Sequence, residues 1–311
     1  MKAAPRCVFA FVLLTIVSVL AQPASAQNAA QNGGLEDPPW VKGLAAKPLV
    51  YSISGMDNVK VERDLVYKHT ASEDLKMDVY RPANSAKAKL PAIFFIHGGF
   101  LPANLKTKPT EWNVFVSYGR LAAAAGYVGV TFNHRLYGSW ASVENSTNDL
   151  ADAISYVRNN ADSLGVDKDR IALWAFSGGG PLLTLAMKDP QPYIRCLISY
   201  YGLLDLQHTD LDERGTISDQ ALVEFSLVHQ IETSSKPIAP MFIARMGQDM
   251  PHIKESVDRF LPIALAKGAT LTLSNDPEGH HGFDVDNDSD ASRAVIRQTM
   301  EFVKVWLAGG N

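Results

Sequence analysis

Apolar positions along the chain follow two patterns: short runs that are unbroken or alternate with polar residues, and longer stretches with apolar residues three and four apart. The first pattern predicts strands over 59–68, 75–80, 92–97, 127–133 and 193–201, with further apolar runs at 170–174, 239–246 and 269–275. The second predicts helices over 111–125 and 148–160, followed by 178–187 and a last helix from near 288 to 307. In 148–160 and just beyond it, Leu150, Ile154, Val157 and Ala161 recur at spacings of four, three and four, which turns one face inward. Asp149 and Asp152, near its expected start, suit the positive end of a helix and read as surface charges. Strands alternating with helices in this way imply an α/β fold, a mainly parallel central sheet with helices on both faces.

The ends and one internal stretch break the alternation. Lys2 and Arg6 precede the apolar stretch 8–21, and Ala24-Ser25-Ala26 is a small-residue cleavage pattern, so 1–26 reads as a signal peptide cut after Ala26. That implies a secreted or periplasmic protein, with an apolar stretch too short and wrongly flanked for a membrane span. Residues 27–58 read as a flexible lead-in, its first part rich in Asn, Gly, Pro and Ala without an apolar period. The folded domain is then 59–311. Within it, 202–236 is polar, helix-compatible and longer than a simple connection, which suggests a cap inserted over the carboxyl ends of the strands.

Composition narrows the classes of function. The chain has 311 residues, 46% hydrophobic and 20% charged, enough for one domain with a substantial core. Its formal charge of −4, which becomes −6 without Lys2 and Arg6, comes with no basic run, so nothing marks a nucleic-acid partner. A small neutral or modestly charged molecule is the expected ligand. Of the two cysteines, Cys7 lies in the leader, leaving Cys196 without a disulfide partner, a buried thiol in the strand 193–201.

The candidate chemistry lies where apolar runs end. Ser177, in Trp174-Ala-Phe-Ser-Gly-Gly-Gly180, follows one such run, and small flanking residues permit the tight strand-to-helix turn that exposes a serine hydroxyl to a base. Ala175 stands where this pattern usually has glycine. The run ending in His97-Gly98-Gly99 presents backbone N–H groups of Gly98 and Gly99, with that of Gly178, to a developing oxyanion. Asp249 ends the apolar run in 239–246, and His281 lies in the Gly-containing loop after 269–275. Histidine ordinarily titrates near pH ~6.5 and so exchanges protons at neutrality. The order Ser177, Asp249, His281 is that of the α/β-hydrolase triad, although Asp205, Asp276, Glu278 and Asp284 are other acids that could reach the histidine.

With Leu75-Lys-Met-Asp-Val-Tyr-Arg-Pro82, Asn133-His-Arg-Leu136, Val166-Asp-Lys-Asp-Arg-Ile171, Met246-Gly-Gln-Asp249 and His281-Gly-Phe283, these motifs give a resemblance spanning roughly 59 to 307. The chain resembles the serine carboxylesterase and lipase branch of the α/β-hydrolase superfamily, the group similar to hormone-sensitive lipase and to feruloyl or acetyl esterases. The resemblance implies an α/β-hydrolase fold, a small-molecule ester substrate, no cofactor, and the catalytic role for His281 rather than His280. An exopeptidase or acyltransferase with the same triad, and a non-catalytic binding protein on the same fold, are the alternatives. Phe100 and Tyr201 flank the expected loops and are the candidates to line the substrate pocket, with Trp112, Tyr137, Trp140 and Phe283 nearby in the pattern. Asp284, Asp286, Asp288 and Asp290 alternate as in a calcium loop, but Ser289 stands where that loop needs glycine and Val295 where it needs glutamate. No metal is expected, and the aspartates are read as capping the last helix.

Overall fold

The computed structural model describes residues 36–85, 89–210 and 216–308; the leader read at 1–26 lies outside them. Along the chain run α1 (Pro39–Ala46), β1 (Val59–His69), β2 (Asp74–Pro82), β3 (Leu90–Ile96), α2 (Asn113–Ala124), β4 (Val128–Phe132), α3 (Val143–Asn159) and α4 (Ala161–Leu164). They continue with β5 (Val166–Phe176), α5 (Thr184–Lys188), β6 (Ile194–Tyr200), α6 (Asp219–Glu224), α7 (Leu227–Thr233), β7 (Met241–Met246), α8 (Pro251–Ala266), β8 (Leu271–Asp276), α9 (Phe283–Asp286) and α10 (Asp290–Leu307).

The strands form one eight-stranded sheet in the order β1-β2-β4-β3-β5-β6-β7-β8. β2 pairs antiparallel with β1 and β4, and every pairing from β4 to β8 is parallel. Parallel strands are covered on both faces, which is why β3, Leu-Pro-Ala-Ile-Phe-Phe-Ile, is an unbroken apolar run buried at all but its first residue. Trp174, near the carboxyl end of β5, packs against Phe95, Tyr118 and Tyr200 with ring centroids 5.5, 5.2 and 4.9 Å away. Burying each such side chain contributes roughly 1.5–3 kcal/mol. This is the α/β-hydrolase fold with the mainly parallel sheet that the alternating pattern implies. No helix among the described residues is long and apolar enough to cross a membrane.

The structure departs from the sequence reading in several places. Within the stretch read as a lead-in, α1 is a helix started by Pro39 in its first turn, with Val41 completely buried. The helix expected over 148–160 begins at Val143, so Asp149 falls in its interior rather than at its positive end. Asp149 is fully buried and is gripped by the Arg135 guanidinium at 2.9 and 2.7 Å and by Lys68 at 2.7 Å, so it is not a surface charge. The segment expected as a helix over 178–187 is a 3-10 turn from Ser177 to Leu183 before α5, because Pro181 has no N–H to donate back. The Ser177 carbonyl instead accepts from the Leu203 N–H at 3.1 Å. At the last helix it is Ser289 whose hydroxyl caps, accepting from Ser292 N–H at 3.1 Å, while Asp288 and Asp290 pair with Arg293.

Candidate active site

Residues that end adjacent strands must emerge together, and the sheet register brings the singled-out segments to one edge. Ile96 is opposite Ala175, Phe176 opposite Tyr200, Tyr200 opposite Ala244, and Met246 opposite Asp276. The loops after β3, β5, β6, β7 and β8 therefore leave side by side, carrying His97-Gly98-Gly99, Ser177, Tyr201, Asp249 and His281. Carboxyl ends of parallel strands are where ligands bind in such sheets.

Ser177 turns the chain in the left-handed region, φ 51°, a conformation that costs a non-glycine residue about 1–3 kcal/mol. The cost is met by close packing around the turn. A Cβ on Gly179 would lie 2.6 Å from the His97 carbonyl oxygen, and one on Gly98 would lie 2.9 Å from the Ser177 Cβ. Ala175 is an ordinary strand residue paired with Ile96 and Ser199, so this position of the turn requires no glycine. From the turn, Ser177 Oγ lies 3.0 Å from His281 Nε2, and His281 Nδ1 lies 2.8 Å from Asp249 Oδ1. Asp249 is buried, and the same oxygen also accepts from the Met250 N–H at 2.7 Å. A carboxylate that fixes the Nδ1–H tautomer leaves Nε2 as the acceptor for a serine proton.

The remaining acids are used elsewhere. Asp205 receives Arg259 Nε at 2.6 Å and the Ser226 hydroxyl at 2.9 Å, and Asp276 accepts from the Glu278 N–H at 3.1 Å. Asp284 accepts from the hydroxyls of Tyr118 and Tyr201, and Asp286 pairs with Lys47. The alternating aspartates after His281 thus serve three different sets of partners, tyrosines, Lys47 and Arg293. Cys196 is buried, and burial pushes its thiol well above the usual range.

Gly98, Gly99 and Gly178 surround the serine. A Cβ on Gly178 would lie 2.8 Å from the Gly99 carbonyl oxygen, so the two loops touch backbone to backbone. Next to them opens a pocket of about 350 Å³, into which Ser177 and His281 face together with Phe100, Trp112, Phe115, Phe176 and Tyr201. Phe100 and Tyr201, the candidates from the sequence, are both among its lining residues. Trp140 packs edge-on against Phe100 with centroids 4.7 Å apart, and Phe283 is buried in the core.

The pocket's far wall was not legible as such: Trp40 and Leu44 of α1 complete it. None of the described residues of 202–236 lines it; α7 packs on α5 and α8. The signal that finds α1 is local, a proline in the first turn followed by Val41, Leu44 and Ala45 at helical spacing.

The chain has similar proteins of known sequence and fold. The chain is 27% identical over 219 residues to a secreted lipase of Arthroderma benhamiae, a match covering 63% of this chain and 40% of the lipase, so it spans well under two thirds of that relative's length. The fold is similar to that of esterase B from Lactobacillus rhamnosis, with a TM-score of 0.64 at 14% identity over 82% of this chain and 88% of the other. It is also similar to a thermophilic esterase from Thermogutta terrifontis, with a TM-score of 0.63 at 22% identity over 82% and 98% of the two chains. The model of the BD-FAE family matches residues 77–241, more than half of the sequence and the whole stretch from β2 through the serine turn to the start of β7; the chain belongs to the BD-FAE family of α/β hydrolases.

Proposed function

We propose that this protein is a serine hydrolase that cleaves carboxylic esters through an acyl-enzyme intermediate and acts outside the cytoplasm. The observation that carries the reading is the continuous Asp249–His281–Ser177 hydrogen-bond chain ending on a serine held in a left-handed turn. His281 takes the Ser177 proton as Oγ attacks the ester carbonyl, and the N–H groups of Gly98 or Gly99 and of Gly178 receive the oxyanion. The alcohol leaves with the proton from His281. Water activated by the same imidazole then releases the acid. An apolar pocket beside the serine supports a neutral ester rather than a charged substrate. Export is supported by the leader pattern of the first 26 residues and by the likeness to a secreted lipase.

The test is hydrolysis of p-nitrophenyl esters from acetate to palmitate, with Ser177→Ala alongside. The expected result is turnover lost in the variant by several orders of magnitude. Unchanged hydrolysis by Ser177→Ala would remove the assignment.

A further inference from the structure

Asp284 is a second buried carboxylate in the immediate surroundings of His281, three residues along the chain, and the triad does not use it. Its Oδ2 accepts from the Tyr118 hydroxyl of α2 at 2.5 Å, its Oδ1 from the Tyr201 hydroxyl at 2.8 Å, and its backbone carbonyl from the Val50 N–H at 2.9 Å. Tyr201 is the bridge to the chemistry. Its ring lies 4.5 Å from the His281 ring, it follows β6 in the left-handed region at φ 38°, and it lines the pocket. A bulky residue keeps such a backbone conformation only when its surroundings determine it. Here the hydroxyl on Asp284 and the ring on His281 do so from two sides.

We propose that Asp284 is a positioning residue for the proposed ester hydrolysis: through Tyr201 it fixes the face of the His281 imidazole, and its charge favours the imidazolium formed when Ser177 attacks. This rests on His281 being the base of the proposed function. Both phenols are donors, since burial and the adjacent carboxylate hold Tyr118 and Tyr201 well above the usual range for tyrosine. Burial raises the Asp284 carboxyl above its ordinary value, and the two hydroxyl donors and the nearby imidazole pull it back toward the carboxylate form. Among the described residues, the titratable groups facing the imidazole are Asp249 from the turn after β7, Tyr201 from the turn after β6 and Asp284 from α9, with Tyr118 of α2 behind Asp284. Asp249 holds Nδ1 by a direct hydrogen bond, whereas Asp284 reaches the imidazole through the Tyr201 ring tilted against it, so the two acids have different tasks.

The experiment measures kcat and KM for p-nitrophenyl butyrate across pH in the wild type, Asp284→Asn, Tyr201→Phe and Ser177→Ala. Asp284→Asn is expected to lower kcat by about tenfold or more with KM changed by less than about twofold. Loss of a negative charge near the imidazolium also moves the acid limb of kcat/KM to lower pH, by about half a unit. A merely structural role would not shift that limb. Tyr201→Phe, which keeps the ring and removes its tether, is expected to lose kcat severalfold at near wild-type KM. Folded Asp284→Asn with wild-type kcat and pH profile overturns the inference, and if that variant does not fold, a wild-type kcat in Tyr201→Phe overturns it. Hydrolysis retained in Ser177→Ala overturns the ester reading and this inference with it, whereas Ser177-dependent hydrolysis with an unaltered Asp284→Asn overturns the inference alone.

Discussion

The imidazole rings of His97 and His134 lie stacked with centroids 3.6 Å apart and planes 7° from parallel, at the ends of the neighbouring strands β3 and β4. Their hydrogen bonds use neutral rings. His97 Nδ1 donates to the Gly98 carbonyl at 2.7 Å, and Nε2 accepts from the His134 N–H at 3.4 Å. His134 Nε2 donates to the His97 carbonyl at 3.2 Å, the same oxygen that approaches Gly179 at the serine turn. The pair thus ties the Gly98-Gly99 loop to β4 on one side and to the nucleophile turn on the other.

That arrangement is expected to make the protein acid-sensitive. Burial pushes His97 down to about 4, and burial together with the adjoining His97 pushes His134 well below its ordinary value. In the unfolded chain both rings take up protons from about pH 6.5 downward, while the folded protein resists. Stability is therefore full above neutrality and falls as the pH drops from about 6.5 toward 4, by about 3 kcal/mol for His97 alone. Unfolding midpoints measured across that range check this, and His134→Phe, which keeps the stack but binds no proton, is expected to flatten part of the slope. A midpoint that does not move between pH 7 and about pH 4 would contradict it.

Removing Asp149 takes the buried counter-ion from Arg135 and leaves Lys68 with the half-exposed Asp152 alone. Asp149→Ala is expected to destabilise the fold by about 3 kcal/mol, a magnitude typical of breaking one partner out of a buried pair. Urea denaturation measures this. A loss below about 1 kcal/mol would place the pair with ordinary surface ion pairs.

Ser177→Gly separates the strain of the turn from its chemistry. Glycine relieves the left-handed backbone at φ 51° while forfeiting the hydrogen bond to His281. The variant is expected to be at least as stable as the wild type, by up to about 1 kcal/mol, and inactive. Thermal unfolding and ester hydrolysis on the same preparation test both halves.

Trp40 is 48% exposed yet forms a wall of the pocket, packing edge-on against Trp112 at 6.3 Å. Trp40→Ala is expected to cost less than about 1 kcal/mol of stability. It should also lower kcat/KM about five- to tenfold for butyrate esters relative to acetate esters, because a longer acyl group loses more apolar contact. An unchanged ratio between the two esters would show that α1 does not touch the acyl group.

How much of this the sequence carried depends on how local the signal was. Ser177, Asp249 and His281 each end an apolar run in a tight turn, so their placement follows from strand periodicity plus parallel order, and the sheet register brings them together. Asp149 misled because Glu144-Asn-Ser-Thr-Asn148 hides a helix start at Val143 behind polar residues, and because its partners Lys68 and Arg135 are distant or on another element. The aspartates after His281 look alike in sequence and differ only in what lies opposite them: tyrosines for Asp284, Lys47 for Asp286, Arg293 for Asp288 and Asp290. No period within one segment encodes a neighbour contributed by another. The same reason put the expected pocket cover in 202–236, whose polarity fits a cap but whose α7 is committed to α5 and α8.

The helix that closes the pocket lies before residue 77, where the family match begins, whereas the Gly98-Gly99 loop and the Ser177 turn lie inside it. The match holds the serine turn and the glycine loop, but neither α1 nor Asp249 and His281, which follow residue 241. α1 is anchored by the Asp37 carboxylate on the Lys106 and Thr107 N–H groups, by Asn113 on the Ala46 carbonyl and by Lys47 on Asp286. Exchanging the eight residues of this helix while keeping those attachments is expected to change which esters the proposed hydrolase accepts and to leave Ser177, Asp249 and His281 as they are.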